Sequence, residues 1–203
     1  MDSLEENGEE LERKKSSSFW EGVKELVRFT ILSLLIIIPF RTFIAQPFVV
    51  NGTSMDPTFK NGDYLVVNQI SYRFEKPARG EVIIFKYPGD LSKSFIKRVI
   101  GLPGETVEVD GAKVTIKNLD NPGGLTLTEP YIIHQGSFNV ETTLKDDEYF
   151  VMGDNRAQSL DSRYWGPLKR NLVIGKPFIR LLPVQTISLY PGNWSARYST
   201  KSL

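Results

Sequence analysis

The segment Thr106-Val-Glu-Val-Asp-Gly-Ala-Lys-Val-Thr-Ile-Lys117 alternates apolar and polar residues on both sides of Asp110-Gly111. A period of two turns one row of side chains to a core and the other to water. An Asp-Gly step between two such runs closes an antiparallel hairpin. The same texture recurs on both sides of this segment. Runs rich in β-branched and aromatic residues stand at Tyr64–Asn68 (YLVVN), Glu81–Tyr87 (EVIIFKY), Phe95–Ile100 (FIKRVI), Tyr149–Met152 (YFVM), Leu172–Ile174 (LVI) and Thr186–Tyr190 (TISLY). Between them lie the turn formers Asn61-Gly-Asp63, Pro88-Gly-Asp90, Leu102-Pro-Gly104 and Asn121-Pro-Gly-Gly124. No long amphipathic helix follows, so residues 47–203 predict a mainly β, antiparallel domain with its own core. Residues 118–145, within a wider stretch of about 110–148, are polar and read as an excursion from the main sheet. The last residues (GNWSARYSTKSL) read as a surface tail.

The stretch before residue 47 has another character. The first 17 residues hold almost no apolar side chains and predict a disordered tail. Ser18-Phe-Trp-Glu21 has capping-box spacing, in which the hydroxyl and carboxylate satisfy the first free N–H groups of a helix. That helix would run into Phe29–Phe40 (FTILSLLIIIPF), which is uncharged but only 12 residues long. A bilayer needs roughly 20. Counting from Leu26 to Ala45 gives 20, with Arg28 and Arg41 able to snorkel and Pro39 as a tolerated kink. Three readings compete: a cleaved leader, a buried soluble helix and a retained transmembrane anchor over residues 18–46. A leader cut after Ala45 would leave Phe43 where a small residue is wanted. The anchor reading leads, with the lipid bilayer as partner. Arg13, Lys14, Lys15, Lys24 and Arg28 precede the span, and Arg41 and Lys60 follow it. The excess of bases before it puts the N-terminus in the cytoplasm and residues 47–203 outside.

Composition removes several chemistries. The chain has 203 residues, 25 Lys and Arg against 24 Asp and Glu, no Cys and one His. A net charge of +1 gives no support to nucleic-acid binding. Without Cys there is no disulfide, cysteine zinc site or thiol nucleophile, and one His cannot build a multi-histidine metal site. No metal or other cofactor is expected. A Ser-His-Asp triad would have to use His134, in Tyr-Ile-Ile-His-Gln-Gly, where no acid is spaced around it. A structural or surface role fits that histidine better.

Three segments concentrate reactive residue types. In Asn51-Gly-Thr-Ser-Met-Asp-Pro-Thr-Phe59, Gly52 lets the backbone bend closely, and free N–H groups around Ser54 can form an anion-binding concavity. The plain alternative is a Ser/Thr turn. In Phe95-Ile-Lys-Arg-Val-Ile100, strand alternation groups Lys97 with Phe95 and Val99, and Arg98 with Ile96 and Ile100. At least one charge must lie among apolar neighbours, where desolvation lowers a lysine pKa and frees its amine to act as a base. The alternative is an edge lysine with its head in water. Ser94-Phe-Ile-Lys97 also spells S-x-x-K, but that chemistry requires a helical turn and this segment reads as strand. In Gly153-Asp-Asn-Arg-Ala-Gln-Ser-Leu-Asp-Ser-Arg163, Asp161 and Arg163 can pair, and Ser159 can bond a nearby amine. A polar surface loop is the alternative.

Taken in order over residues 19–182, these pieces resemble the type I signal peptidases of bacteria, including the cyanobacterial and plastid kind. The resemblance rests on the apolar N-terminal segment, Gly52-Thr-Ser-Met-Asp-Pro-Thr58, Lys97-Arg-Val-Ile-Gly-Leu-Pro-Gly104, and Gly153-Asp-Asn-Arg156 with Ser159, Asp161, Ser162 and Arg163. It implies a membrane-bound serine endopeptidase of the plasma or thylakoid membrane that removes signal peptides from preproteins after Ala-x-Ala. It implies Ser54 as nucleophile and Lys97 as general base, Ser159 positioning Lys97, and Asp161 and Arg163 bracing the site. It implies pocket walls at Phe48, Val50, Met55, Ile84 and Ile96. Some relatives supply an oxyanion donor from a serine hydroxyl two residues before the nucleophile. Here Gly52 stands there, so its N–H or Thr53 must substitute.

Two other readings keep the β domain. A self-cleaving Ser-Lys repressor is opposed by the anchor and by the lack of a DNA-reading helical domain. A membrane-anchored adaptor without catalysis would leave Lys97 in water. The discriminating observation is whether the Ser54 and Lys97 side chains meet at about 3 Å in an apolar cleft.

Overall fold

In a computed structural model of the chain, the structure describes residues 2–39 and 45–199. The chain divides into two compact units, Met1–Phe43 and Ile44–Leu203. The first holds one helix, α1 (Asp2–Pro39), which passes through Ser18–Glu21 without interruption. The helix start expected at Ser18 therefore lies inside α1. The sequence permits this: Glu, Leu, Lys and Arg are strong helix formers. Towards the end of α1 apolar residues are exposed, Phe29 at 70% and Ile36 at 69%. Among the described residues no helix is long and apolar enough to cross a membrane. Lys24, Glu25 and Arg28 stand before the uncharged run that opens at Phe29, and the expected span continues through residues 40–44, outside the described residues.

The second unit is built of strands. In chain order they are β1 (Ala45–Val49), β2 (Tyr64–Asn68), β3 (Val82–Tyr87), β4 (Asp90–Gly101), β5 (Thr106–Gly111), β6 (Lys113–Lys117), β7 (Leu125–Thr126), β8 (Phe138–Thr143), β9 (Glu148–Met152), β10 (Leu168–Lys169), β11 (Val173–Leu182) and β12 (Ser188–Leu189). Short helices α2 (Ser71–Phe74), α3 (Ser162–Trp165) and α4 (Ser195–Ser199) join them. The larger sheet runs β1-β2-β11-β3-β4-β9-β10 with β12 beside β11, and the smaller runs β7-β6-β5-β8. Every pairing is antiparallel. The β5–β6 hairpin sets Val107 opposite Ile116 and Val109 opposite Val114, all four buried. The polar excursion is therefore part of a second sheet, with β7 and β8 flanking this hairpin.

Strand β4 organises the interior. Ile96 packs with Val50, Met55, Phe59 and Ile84. Val99 packs with Ile83, Phe85 and Tyr149. Ile100 packs with Val107, Val109 and Phe150. The start of β4 is exposed, but from Lys97 to Gly101 the strand is buried throughout. Its pairing with β9 begins only at Arg98, so among the described residues Ser94–Lys97 lacks a strand neighbour on that side. The C-terminal residues are not a loose tail. The Gly192 carbonyl accepts from Arg98, the Trp194 N–H donates to the Gly80 carbonyl at 3.2 Å, and the Trp194 ring lies 5.8 Å from Tyr131.

Candidate active site

The loop after β1 is closed at its base by Val50 N–H to the Asp63 carbonyl (2.9 Å) and Gly62 N–H to the Val50 carbonyl (2.8 Å). Met55 and Phe59 plug it into the core, 1% and 0% exposed. Gly52 takes a φ of 94°, a left-handed conformation that favours glycine. Its N–H donates to Asn61 Oδ1 at 2.8 Å. Ser54 is thereby carried at the tip of a loop anchored from below.

Lys97 reaches this serine. Its Nζ lies 2.6 Å from Ser54 Oγ and donates to the Ile96 carbonyl at 3.0 Å. Lys97 is only 4% exposed. Burial pushes its pKa down from 10.5 to about 8, against the opposing pull of Asp161 and Asp154. The next residue receives the opposite treatment. Arg98 is fully buried, but Asp154 meets it with two oxygens, at 2.8 and 2.6 Å. The Gly80 and Gly192 carbonyls accept from it at 2.7 and 2.5 Å, and the Tyr131 ring lies 3.9 Å from its guanidinium carbon. Two adjacent cations are buried, and only one has a carboxylate in hydrogen-bond contact.

The third segment closes over the first. Asn155 N–H donates to the Ser54 carbonyl at 3.1 Å, and its side-chain amide donates to the Thr53 carbonyl at 3.2 Å. A Cβ on Gly153 would sit 2.4 Å from the Ser54 oxygen and 2.2 Å from Ser159 Oγ, so only glycine allows this approach. Asp161 and Arg163 form a two-point pair at 2.8 Å, and Asp161 also accepts from Gly153 N–H at 3.0 Å. Ser159 Oγ is buried without a hydrogen-bond partner, so the structure places no bond between it and Lys97. Neutral Lys97 has one N–H beyond the bond to Ile96, which is what such an unpaired oxygen can accept.

The family model of signal peptidase, peptidase S26, matches residues 23–182. The chain belongs to the signal peptidase family, peptidase S26. It is 36% identical over 187 residues to a probable signal peptidase I-2 of Synechocystis sp., covering 89% of this chain and 83% of that protein. It is 38% identical over 172 residues to a probable signal peptidase I-1 of the same organism, covering 81% and 85%. A thylakoidal processing peptidase 1 of Arabidopsis thaliana is 32% identical over 171 residues, 79% of this chain and 48% of that protein.

In this signal peptidase family member a cleft of about 400 Å³ opens over Ser54 and Lys97, with Phe48, Thr53, Ile96, Gln158 and Leu160 among its walls. A hollow of about 220 Å³ shares Phe48 and Ser94 with it and is bounded by Val67, Ile84 and Ile174. Phe48, Ile84 and Ile96 thus face these spaces. Val50 and Met55, named with them as pocket walls, line neither of these two spaces and pack in the same apolar cluster as Ile84 and Ile96. His134 does meet an acid, with Nε2 3.4 Å from Asp56 Oδ2, but the ring is half exposed and its partner comes from a distant segment. Among the described residues no cluster is arranged to hold a metal. Local spacing did not reveal Asp154 as the mate of Arg98, or Glu129 as the mate of Arg156. The only hint was the density of charge in 153–163.

Proposed function

We propose that the chain is a membrane-bound serine endopeptidase that removes N-terminal signal peptides from exported preproteins after small residues, through a Ser54–Lys97 dyad and an acyl-enzyme. The observation that carries this is the 2.6 Å contact between Ser54 Oγ and a lysine buried without a carboxylate partner. An adaptor has no use for a buried lysine held against a serine, and burying a cation unpaired is costly.

Neutral Lys97 takes the Ser54 proton as Oγ bonds to the scissile carbonyl carbon. The resulting oxyanion is stabilised by Ser54 N–H, which has no hydrogen-bond partner among the described residues. Of the two candidates for a second donor, Gly52 N–H already serves Asn61. The Thr53 hydroxyl, held only by a 3.2 Å bond to Gln158 Oε1, is the one we assign. The Lys97 ammonium then protonates the leaving amine, the C–N bond breaks, and the acyl group stays on Ser54. Lys97 next takes a proton from water, which attacks the ester carbon; the C–Oγ bond breaks, the acid leaves, and Lys97 returns the proton to Ser54 Oγ. The substrate joins as an extended strand along the open edge of Ser94–Lys97. Alternation then sends the side chain at the cut and the one two positions earlier to the same face, towards the cleft and the adjoining hollow.

The anchor belongs to this proposal. It is supported by the exposed apolar residues of α1 and by the uncharged run Phe29–Phe40. The N-terminus is then cytoplasmic and residues 47–203 lie on the extracytoplasmic or lumenal side. The test is preprotein cleavage by the detergent-solubilised full chain. Ser54→Ala and Lys97→Ala are expected to abolish cleavage with an unchanged circular dichroism spectrum, and Thr53→Val to slow it about 100-fold. Full activity in Ser54→Ala or Lys97→Ala sinks the dyad. Release of the chain from membranes by alkaline carbonate sinks the anchor.

A further inference from the structure

The segment between β7 and β8 takes no part in the chemistry above, yet it touches two buried arginines around the site, Arg98 and Arg156. Glu129 is paired with Arg156, their side chains 7% and 3% exposed. Tyr131 donates its hydroxyl to Glu129 Oε1 at 2.8 Å while its ring covers Arg98. Burial pushes the Tyr131 phenol pKa up, so this donor stays protonated. The His134 carbonyl accepts from Arg156 N–H at 3.0 Å. A Cβ on Gly136 would come within 2.5 Å of the Arg156 carbonyl oxygen, so the two backbones are in direct apposition.

From Arg156 the connection to the nucleophile is short. Its Nε donates to the Gly153 carbonyl at 3.1 Å, and the intervening Asn155 holds the Ser54 and Thr53 carbonyls. Without Glu129 the Arg156 guanidinium would be a buried charge with no carboxylate paired to it, Asp154 acting on it only as a nearby charge. That is costly enough to drive the side chain towards water, taking the 153–156 turn with it.

We propose that Glu129 is a positioning residue: by holding Arg156 it fixes the Gly153–Arg156 turn that carries the Ser54 main chain. The segment Leu127–Ser137 is a clamp on the reaction centre. This rests on the dyad reading of Ser54 and Lys97. Misplacing a reacting group by about 1 Å costs on the order of 100-fold in rate, so the clamp is worth about 10- to 100-fold in kcat.

The test is steady-state cleavage of a preprotein by the solubilised full chain. Glu129→Ala is expected to lower kcat about 10- to 100-fold with KM within about twofold and an unchanged circular dichroism spectrum. Glu129→Gln keeps an oxygen that accepts from Arg156 and Tyr131 and is expected to recover most of the loss. Arg156→Ala should match Glu129→Ala, and the double variant should lose no more than either. If Glu129→Ala does not fold, Gly136→Ala replaces it, because it presses on the same turn without removing a charge. A folded variant with wild-type kcat, a loss carried by KM alone, or additive losses in the double variant overturns the clamp. Ser54→Ala, run alongside, separates the two ideas: cleavage by that variant overturns the dyad, whereas no cleavage by it beside an unaffected Glu129→Ala overturns only the clamp.

Discussion

Lys97 and Arg98 are consecutive cations on β4, 4% and 0% exposed, and they meet different fates. Asp154 and two carbonyls take the place of the water that Arg98 lost. Burial destabilises the ammonium form of Lys97, whose hydrogen-bond partners among the described residues are a hydroxyl and a carbonyl, and its pKa falls to about 8. The base works only when deprotonated, so kcat/KM is expected to rise with pH through about 8 and level off above. A profile flat from pH 6 to pH 10 speaks against Lys97 as base. Lys97→Arg is expected to be inactive across that range, since a guanidinium does not give up its proton. Recovery of cleavage by Lys97→Arg at any pH in it would remove the general-base role.

At the scale of elements, the site is an agreement between two loops and one strand. The Ser54 loop is fixed by Met55 and Phe59 below and by Asn155 above. The contact that sets their spacing is the bare face of Gly153. Gly153→Ala puts a methyl 2.2 Å from Ser159 Oγ and 2.4 Å from the Ser54 carbonyl oxygen, so one loop must move. Overpacking of this kind costs about 1–3 kcal/mol. The displaced nucleophile should slow cleavage by about 10- to 100-fold. Thermal unfolding and single-turnover cleavage of the solubilised variant check both, and a wild-type turnover rate would show that the approach is dispensable. Strands β2 and β6 were legible to the residue because their alternation is clean and their ends are marked by turn formers. Strands β7, β8 and β10 were not: two are two residues long, and Phe138–Thr143 is half polar because one face of the small sheet is wet. The helix start at Ser18 was misread because a capping-box spacing also occurs inside a helix when the residues before it favour helix.

For the molecule as a whole, the buried lysine links function to stability. Its pKa is about 8 in the folded chain and 10.5 when exposed, so between these values the unfolded state binds more protons. Stability from this group is therefore full above about pH 10.5 and is lost as pH falls through about 8, a span worth about 3 kcal/mol. Lys97→Met is expected to exceed the wild type in unfolding free energy at pH 7 and to lose most of that lead by pH 10.5, read by denaturant titration at both pH values. A lead that does not change with pH would mean that Lys97 titrates normally. By itself the sequence determined most of the longer strands, the antiparallel class, the exclusion of thiol and multi-histidine chemistry, and the motifs around Ser54, Lys97 and Asp161. All of these are carried by residue type and short-range spacing. It placed at least one of Lys97 and Arg98 among apolar neighbours, because alternation puts the two on opposite faces, and it left open a lysine with its head in water. Only the tertiary structure decided which cation stays charged and which can be neutral. That depends on Asp154, 56 residues beyond Arg98 in the chain, and on the absence of any such partner beside Lys97. Desolvation and pairing act through space, and sequence spacing does not measure distance across a fold.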